Sequence, residues 1–346
     1  MKKHVHGGNV YQHKNVTDFS ANLNPLGMPE SVRDAAIGGV CRSERYPDPD
    51  SLELREAIAA AAGTEASKVI CGNGAAELIF LLAAAKKPKK ALLPAPTFAE
   101  YETALSACGC ECVFYRLKEE TGFCLKEDFI EAITEGTELV YLCNPNNPTG
   151  VLTEKTTLLR ILDRCRSVGA LLVIDECFLE LTGKKELYTM EDQLSGGSLF
   201  LLKAFTKTYA MAGLRLGYGL TEEQELLDQM NGLRQPWSVS LPAACAGLAA
   251  LKETAYVKRS VDYISRERKW LSERLRSFPM KLYEGSANYL FFYCDRKGLW
   301  EALLSRGILI RDCSNYRGLS KGYYRIAVRT HEENEALIRV LKLCFS

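Results

Sequence analysis

A chain of 346 residues with 44 Lys plus Arg against 43 Asp plus Glu has a net charge of +1, too little to grip nucleic acid or an anionic membrane surface. The longest apolar run, Leu78 to Ala85, is too short to span a bilayer, and the polar start lacks a signal-peptide apolar segment, so a cytoplasmic protein is expected. Thirteen cysteines without CxxC pairs read as free thiols in a reducing compartment.

In chain order, His4, His6 and His13 come first. No Cys or carboxylate cluster beside them completes a metal site, so metal coordination is not expected. His4 and His13 read as solvated or structural. The first forty residues, extended and rich in Asn, Pro and Gly, cannot form a core alone and are expected to pack beside one. "SLELREAIAAAAG" reads as a helix capped by Ser51 and ended by Gly63. "KVICG", "KALLPA", "ELVYLCN", "ALLVIDE" and "SLFLLKA" read as buried strands alternating with helical stretches. Cys108, Cys110 and Cys112 alternate as one buried face of a further strand.

The last hundred residues change character. A long charged helix near "YVKRSVDYISRERKWLSERLRSF" precedes the short strands "NYLFFYC" and "YYRIAV". The expected architecture is α/β: a mostly parallel sheet between helices in a large domain over residues 41–235, with 1–40 and 236–346 forming a small α+β domain and an N-terminal segment at the substrate site.

Polar residues follow directly on several of these strands, where open α/β sheets place their ligands. "YLCNPNNPTG" ends in Asn and Pro, "LLVIDECF" in Asp175 and Glu176, and "LFLLKAFTKTYAMAGLRLGY" offers Lys207 and then Arg215. Singly, each has a plain structural explanation: a turn, a helix cap, a solvated lysine. Together they fit pyridoxal phosphate chemistry, which needs a lysine amine for the covalent link and a carboxylate for the pyridinium nitrogen. Asp175 suits the ring nitrogen and Asn147 the phenolic oxygen. Gly74 and Ala75 in "CGNGAAEL" offer backbone N–H groups at a helix start, and Arg215 a cation, for the cofactor phosphate. "GNGAAE" as half of a dinucleotide fingerprint fails for want of the third glycine.

"NPNNPTG", "IDE" and "TKTYAMAGLRLGY" resemble the fold-type I aminotransferases along nearly the whole chain. The resemblance implies a seven-stranded, mostly parallel sheet, pyridoxal 5'-phosphate as cofactor, and Lys207 as the Schiff-base lysine of the Thr206-Lys207 step. Lys203 matches no family site and reads as solvated or structural. Tyr101 matches the aromatic that stacks on the pyridine ring. Tyr46 in "RYPDPD" matches a tyrosine that reaches the cofactor phosphate of a neighbouring subunit, which implies a homodimer. Ala204 stands where many members have a serine of the phosphate cup.

Two branches of the superfamily compete, the threonine-phosphate decarboxylases of cobalamin biosynthesis and the histidinol-phosphate aminotransferases. Both handle a phosphorylated amino compound. Arg325 matches the arginine that grips substrate carboxylate and Arg311 one that binds substrate phosphate, while Arg329 is expected to be structural. The start "HGGN" with "DFSANLNPLGMP" resembles the decarboxylases, which implies His6 and Asn22 in the phosphate pocket, with Gly7 and Gly8 letting the chain bend close. Phe178 in "DECF" stands where the aminotransferases usually have a tyrosine. The expectation is therefore decarboxylation of L-threonine O-3-phosphate, with the histidinol-phosphate reaction as the alternative. A cofactor-binding regulator without turnover is disfavoured by the complete Lys, Asp, Asn and Arg set.

Overall fold

The computed structural model describes residues 6–345; His4 lies outside them. All five apolar runs become strands of one seven-stranded sheet, in the order Val69–Gly72, Gly217–Thr221, Leu199–Ala204, Leu171–Asp175, Leu139–Cys143, Lys90–Ala95, Glu111–Arg116. Only Gly217–Thr221 runs against its neighbours. Every residue of Leu139–Cys143 and Leu171–Asp175 is buried, as parallel strands covered on both faces require. Consequently Asn144, Asp175, Ala204 and Pro96 leave the sheet from one edge.

Two strands escape the apolar pattern for local reasons. Glu111–Arg116 is an edge strand with no fully buried residue. In Gly217–Thr221 the glycines make room for neighbours: a Cβ at Gly219 would fall 2.2 Å from Phe200 Cζ. Cys108 closes the helix Ala99–Ala107 and is exposed, whereas Cys110, just before the strand, and Cys112, on it, pack on one core with Leu105 and Leu139, so two of the three thiols share a face.

Ser51 precedes the helix Leu52–Ala62 in a left-handed conformation, φ 49°, and its side chain does not cap it. Asp48 does so instead, accepting from the N–H groups of Asp50 at 3.0 Å and Leu52 at 2.6 Å. Gly63 ends that helix as expected, at φ 67°. The first forty residues are not all extended: Glu30–Val40 is a helix packed on Leu241–Ala250. A Cβ at Gly39 would sit 2.6 Å from Pro242 Cα, so the glycine that lowers helix propensity is what permits the close crossing. Val32, Ala36, Ala243, Ala246 and Ala250 share a core with Leu172, Ile174 and Leu201 of the large sheet. Both helices therefore pack on the large sheet, although the order of elements groups residues 1–40 and 236–346 with the small domain.

The small domain is a four-stranded antiparallel sheet, ordered Arg311–Asp312, Tyr323–Ala327, Tyr289–Tyr293, Lys281–Leu282, beneath the helices Thr254–Leu275 and His331–Phe345. Phe19 lies in its core with Leu271, Leu290, Ile326 and Leu337. Thr17–Asp18 pairs in parallel with Ile308–Leu309, which draws the N-terminal segment to this domain.

One carboxylate ties the two domains together. Glu119, just beyond the edge strand of the large sheet, accepts from Lys281 Nζ, Tyr283 Oη and Tyr323 Oη, each at 2.7 Å. Hydrogen bonds from Lys281, then Tyr283 and Tyr323, hold its pKa down at about 2. A carboxyl depressed in the folded state contributes stability that is present above its unfolded pKa and lost as pH falls toward 2. Glu119→Gln is accordingly expected to flatten the decline of thermal stability between about pH 4.5 and 2. Tyr323→Phe is expected to cost about 1 kcal/mol in urea unfolding.

Candidate active site

The carboxyl edge of the large sheet carries the charged groups. Asp175 is buried; Cys177 N–H donates to its Oδ1 at 2.9 Å and Tyr101 Oη to its Oδ2 at 2.6 Å. Burial pushes its carboxyl up from the usual range, against the hydrogen bonds from Cys177 and Tyr101. A carboxylate so placed gains from a cationic N–H partner. Tyr101, expected to stack on the cofactor ring, is 0% exposed, its hydroxyl committed to Asp175 and its ring stacked on Tyr141 at 4.4 Å, so it is enclosed rather than open to a ligand. The partly exposed aromatic is Phe98, edge-on to Tyr101 at 5.5 Å. Phe98 was not singled out in the sequence, and burial is what separates it from Tyr101.

Lys207 sits on the short helix Phe205–Thr208 with Thr206 beside it. Burial, then the charges of Arg325 and Arg215, lower its pKa to about 8. Its Nζ lies 5.7 Å from the centroid of Phe178, which is edge-on to Tyr289. Tyr289 donates to the Asn146 carbonyl at 2.8 Å. Asn24, the second asparagine of "SANLN" and unremarked in the sequence, steadies this segment. Its N–H donates to Lys207 O at 3.1 Å, and its Nδ2 to Thr208 O at 2.8 Å and Ser260 Oγ at 2.7 Å. Lys203 is structural but not solvated: it is buried between Glu176 at 2.7 Å and Glu191 at 2.8 Å.

Gly74 and Ala75 open the helix Gly74–Lys86. A Cβ at Gly74 would fall 2.4 Å from Arg215 Nη2, and one at Gly217 would fall 2.4 Å from Ala75 N. Arg215 itself holds a left-handed backbone, φ 61°, and donates from Nη1 to Ala212 O at 2.9 Å. The result is a cradle of helix N-terminal N–H groups and a guanidinium that only glycines leave open, which suits a phosphate. Together with a lysine of lowered pKa and a buried carboxylate, these donors fit pyridoxal phosphate. Ala204 brings no hydroxyl to the cradle. Tyr46 is 78% exposed and stacks on Trp237 at 4.6 Å.

Arg325 and Arg311 are both buried and are direct partners across an antiparallel ladder. Arg325 donates to Asn147 Oδ1 and to Ser20 O, the latter at 3.0 Å. Asn22, with its amide oxygen turned to the guanidinium, accepts from Arg325 Nε at 3.1 Å. Asn22 is therefore grouped with Arg325 and Asn147. Arg311 donates to Asn315 Oδ1 at 2.8 Å. Asn315 and Tyr316, whose Oη lies 3.3 Å from Asn147 Oδ1, were not singled out in the sequence.

His6 Nε2 lies 2.8 Å from Glu100 Oε1, with its ring 6.2 Å from Phe98. A Cβ at Gly7 would fall 2.4 Å from Ser20 O, and Gly8 N–H donates to Ser20 Oγ at 2.7 Å, so the N-terminal segment lies along the strap that supports Arg325. His13 packs edge-on to Trp300 at 5.7 Å. Arg329 pairs with Glu333 at 2.6 Å at the start of the last helix, a structural place. Among the described residues no helix is long and apolar enough to cross a membrane.

The chain is similar to the threonine-phosphate decarboxylase of Salmonella typhimurium, at 38% identity over 98% of this chain and 96% of the relative. Among solved structures it resembles the histidinol-phosphate aminotransferase from Clostridium acetobutylicum, with TM-score 0.88 and 30% identity over 94% of this chain and 98% of that one. The L-threonine-O-3-phosphate decarboxylase from Porphyromonas gingivalis shares the fold, with TM-score 0.84 and 24% identity over 94% and 98%. Residues 14–341 match the family model for aminotransferase class I and II, and the chain belongs to that family of pyridoxal-phosphate-dependent enzymes.

Proposed function

We propose that this enzyme, as a homodimer, decarboxylates L-threonine O-3-phosphate to (R)-1-amino-2-propanol O-2-phosphate for cobalamin biosynthesis. The observation that carries the reading is the pair of buried arginines, Arg311 and Arg325, opposed on one ladder beside Asn147, two grips for a substrate with two anionic groups. The full-length similarity to a threonine-phosphate decarboxylase supports it.

Pyridoxal 5'-phosphate supplies a conjugated ring that takes up the electrons of whichever α-carbon bond stands perpendicular to it. Everything else falls to the chain's own residues. Asp175 would hold the positive charge at the ring nitrogen, Asn147 would meet the phenolic oxygen, and Gly74, Ala75, Thr206 and Arg215 would seat the phosphate. Phe98 would be the aromatic for the ring face. Lys207 would carry the covalent link, and its amine would be the group to move a proton at the substrate α-carbon. Arg311 and His6 would hold the substrate phosphate, and Arg325, steadied by Asn22, its carboxylate, so the two grips would select the bond that breaks. The carbon–carboxylate bond breaks, carbon dioxide leaves, and a proton enters at the same carbon.

Purified holoenzyme given threonine phosphate is expected to release carbon dioxide in step with the amine product. Transamination of imidazole acetol phosphate by glutamate without carbon dioxide release would instead establish the histidinol-phosphate reading, which the similarity to the Clostridium acetobutylicum enzyme favours. His6→Ala is expected to raise KM for threonine phosphate about tenfold while leaving cofactor content unchanged. Wild-type KM in that variant would remove His6 from the pocket.

A further inference from the structure

Three consecutive residues of one small-domain turn, Tyr316, Arg317 and Gly318, touch three separate parts of the large domain. The turn joins the strands Arg311–Asp312 and Tyr323–Ala327. Arg317 donates from Nε to Glu102 Oε2 at 3.2 Å and from Nη2 to Glu102 Oε1 at 2.5 Å, and its guanidinium carbon lies 4.1 Å from the centroid of the Phe114 ring. Glu102 belongs to the helix Ala99–Ala107 and Phe114 to the edge strand Glu111–Arg116. Gly318, at φ +84°, packs so closely that a Cβ would lie 3.2 Å from Ala95 O, where the strand Lys90–Ala95 ends. Tyr316, buried, donates to Asn147 Oδ1 at 3.3 Å. Arg317 thus fastens the outer side of the turn, and Tyr316 brings its inner side to the candidate active site.

Most surface ion pairs contribute little, because two long side chains must be immobilised in water. This one differs in two respects: the fork engages both carboxylate oxygens, and the guanidinium is stacked on an aromatic face. A cavity of about 430 Å³ lies between the turn and the large domain, lined by Leu93, Thr97 and Phe98 as well as by Arg317, so close packing does not fix this side of the turn. The clasp does.

We propose that Arg317 is a positioning residue: its clasp on Glu102 and Phe114 sets the place of Tyr316, and through it the orientation of the Asn147 amide beside the cofactor. This rests on the reading of Asn147 as the partner of the phenolic oxygen. A side-chain amide accepts at one end and donates at the other, so what its oxygen accepts decides where its N–H groups point. Arg325 and Tyr316 both donate to Asn147 Oδ1, and the amide cannot flip without setting two donors against its own NH₂ group. Arg317 holds one of those two donors in place.

Arg317 has 53% of its side chain exposed, so Arg317→Ala leaves the cores intact. The test follows apoenzyme by amide hydrogen exchange and holoenzyme by visible absorbance, before any substrate is added. Arg317→Ala is expected to speed exchange at residues 313–319 about tenfold while the large sheet keeps wild-type rates. The absorbance maximum of the holoenzyme should move to longer wavelength, because a weakened N–H donor leaves the charge on the phenolic oxygen less stabilised. With cofactor content unchanged, kcat/KM for threonine phosphate is expected to fall about tenfold. Glu102→Gln, which keeps the volume and one acceptor, should produce the same changes at about threefold. The double variant should be no worse than Arg317→Ala alone, and Arg317→Lys, which keeps the charge and loses the fork, should fall between.

Wild-type absorbance in Arg317→Ala, whether or not the turn exchanges faster, overturns the proposal. So does faster exchange spread evenly over both domains, the mark of a merely structural role. Asn147→Ala separates the two readings. If it leaves the absorbance unchanged, the placement of Asn147 at the phenolic oxygen fails and takes this inference with it. If Asn147→Ala shifts the absorbance while neither Arg317→Ala nor Glu102→Gln does, only the role of Arg317 fails.

Discussion

Lys207→Ala is expected to bind pyridoxal phosphate without covalent attachment and to lose turnover by about 10⁴-fold or more. The visible absorbance of the wild-type holoenzyme should be replaced by that of the free aldehyde, and borohydride should no longer fix the cofactor to the protein. The lowered pKa of Lys207 gives a second readout with a defined sign. An amine attacks only when unprotonated, and burial together with the charges of Arg325 and Arg215 puts its midpoint at about 8. The rate at which apoenzyme captures cofactor should therefore rise with pH through about 8, where it is half-maximal, and level off about one unit higher. An ordinary lysine would keep gaining to beyond pH 10. Arg325→Gln removes one of the two cations and should move that midpoint upward. A capture rate still climbing steeply above pH 9.5 would contradict the environment assigned to Lys207.

Asp175→Asn should reduce turnover by about 10²–10³-fold with little change in folding. The substitution keeps the volume, and its one amide oxygen can still accept from the Cys177 N–H, while the Tyr101 hydroxyl, which donates to the other carboxylate oxygen, must turn to accept from the new amide N–H. What disappears is the negative charge opposite the ring nitrogen. The expected signature is a loss in kcat larger than any loss in cofactor affinity, measured by absorbance titration of apoenzyme. Asp175→Glu is expected to fare poorly as well, because the longer side chain drives into a position closed by Tyr101 and Tyr141. Near-normal turnover in Asp175→Asn would show that the carboxylate is dispensable, and the assignment would fall.

The strands that place the site were legible because they are nearly uninterrupted apolar runs, and the residues of the site follow directly on them. Lys207, Asp175, Asn147 and Arg215 could be singled out from order and residue type alone. The remainder depended on information that sequence neighbours do not carry. Tyr101 and Phe98 are both aromatics in one short segment, and only packing against Tyr141 decides which is enclosed. Lys203 reads as solvated or structural, and only Glu176 and Glu191, from other segments, decide for the second. Asn315 is unremarkable until the ladder brings Arg311 opposite Arg325. The helix Glu30–Val40 was hidden by glycines whose use is to let it touch Leu241–Ala250.

The strap of residues 17–24 meets partners from the far end of the chain. Thr17–Asp18 needs Ile308–Leu309, Ser20 O needs Arg325, and Asn24 needs both Ser260 and the carbonyl of Lys207. During synthesis residues 17–24 must wait, unpaired, until residues 308–325 have emerged. The large sheet can assemble earlier from consecutive units, but the strap finds its partners only after those later strands are made. A chain truncated before Tyr323 would keep the cofactor-binding residues and lack the arginine that gathers the N-terminal strap around them.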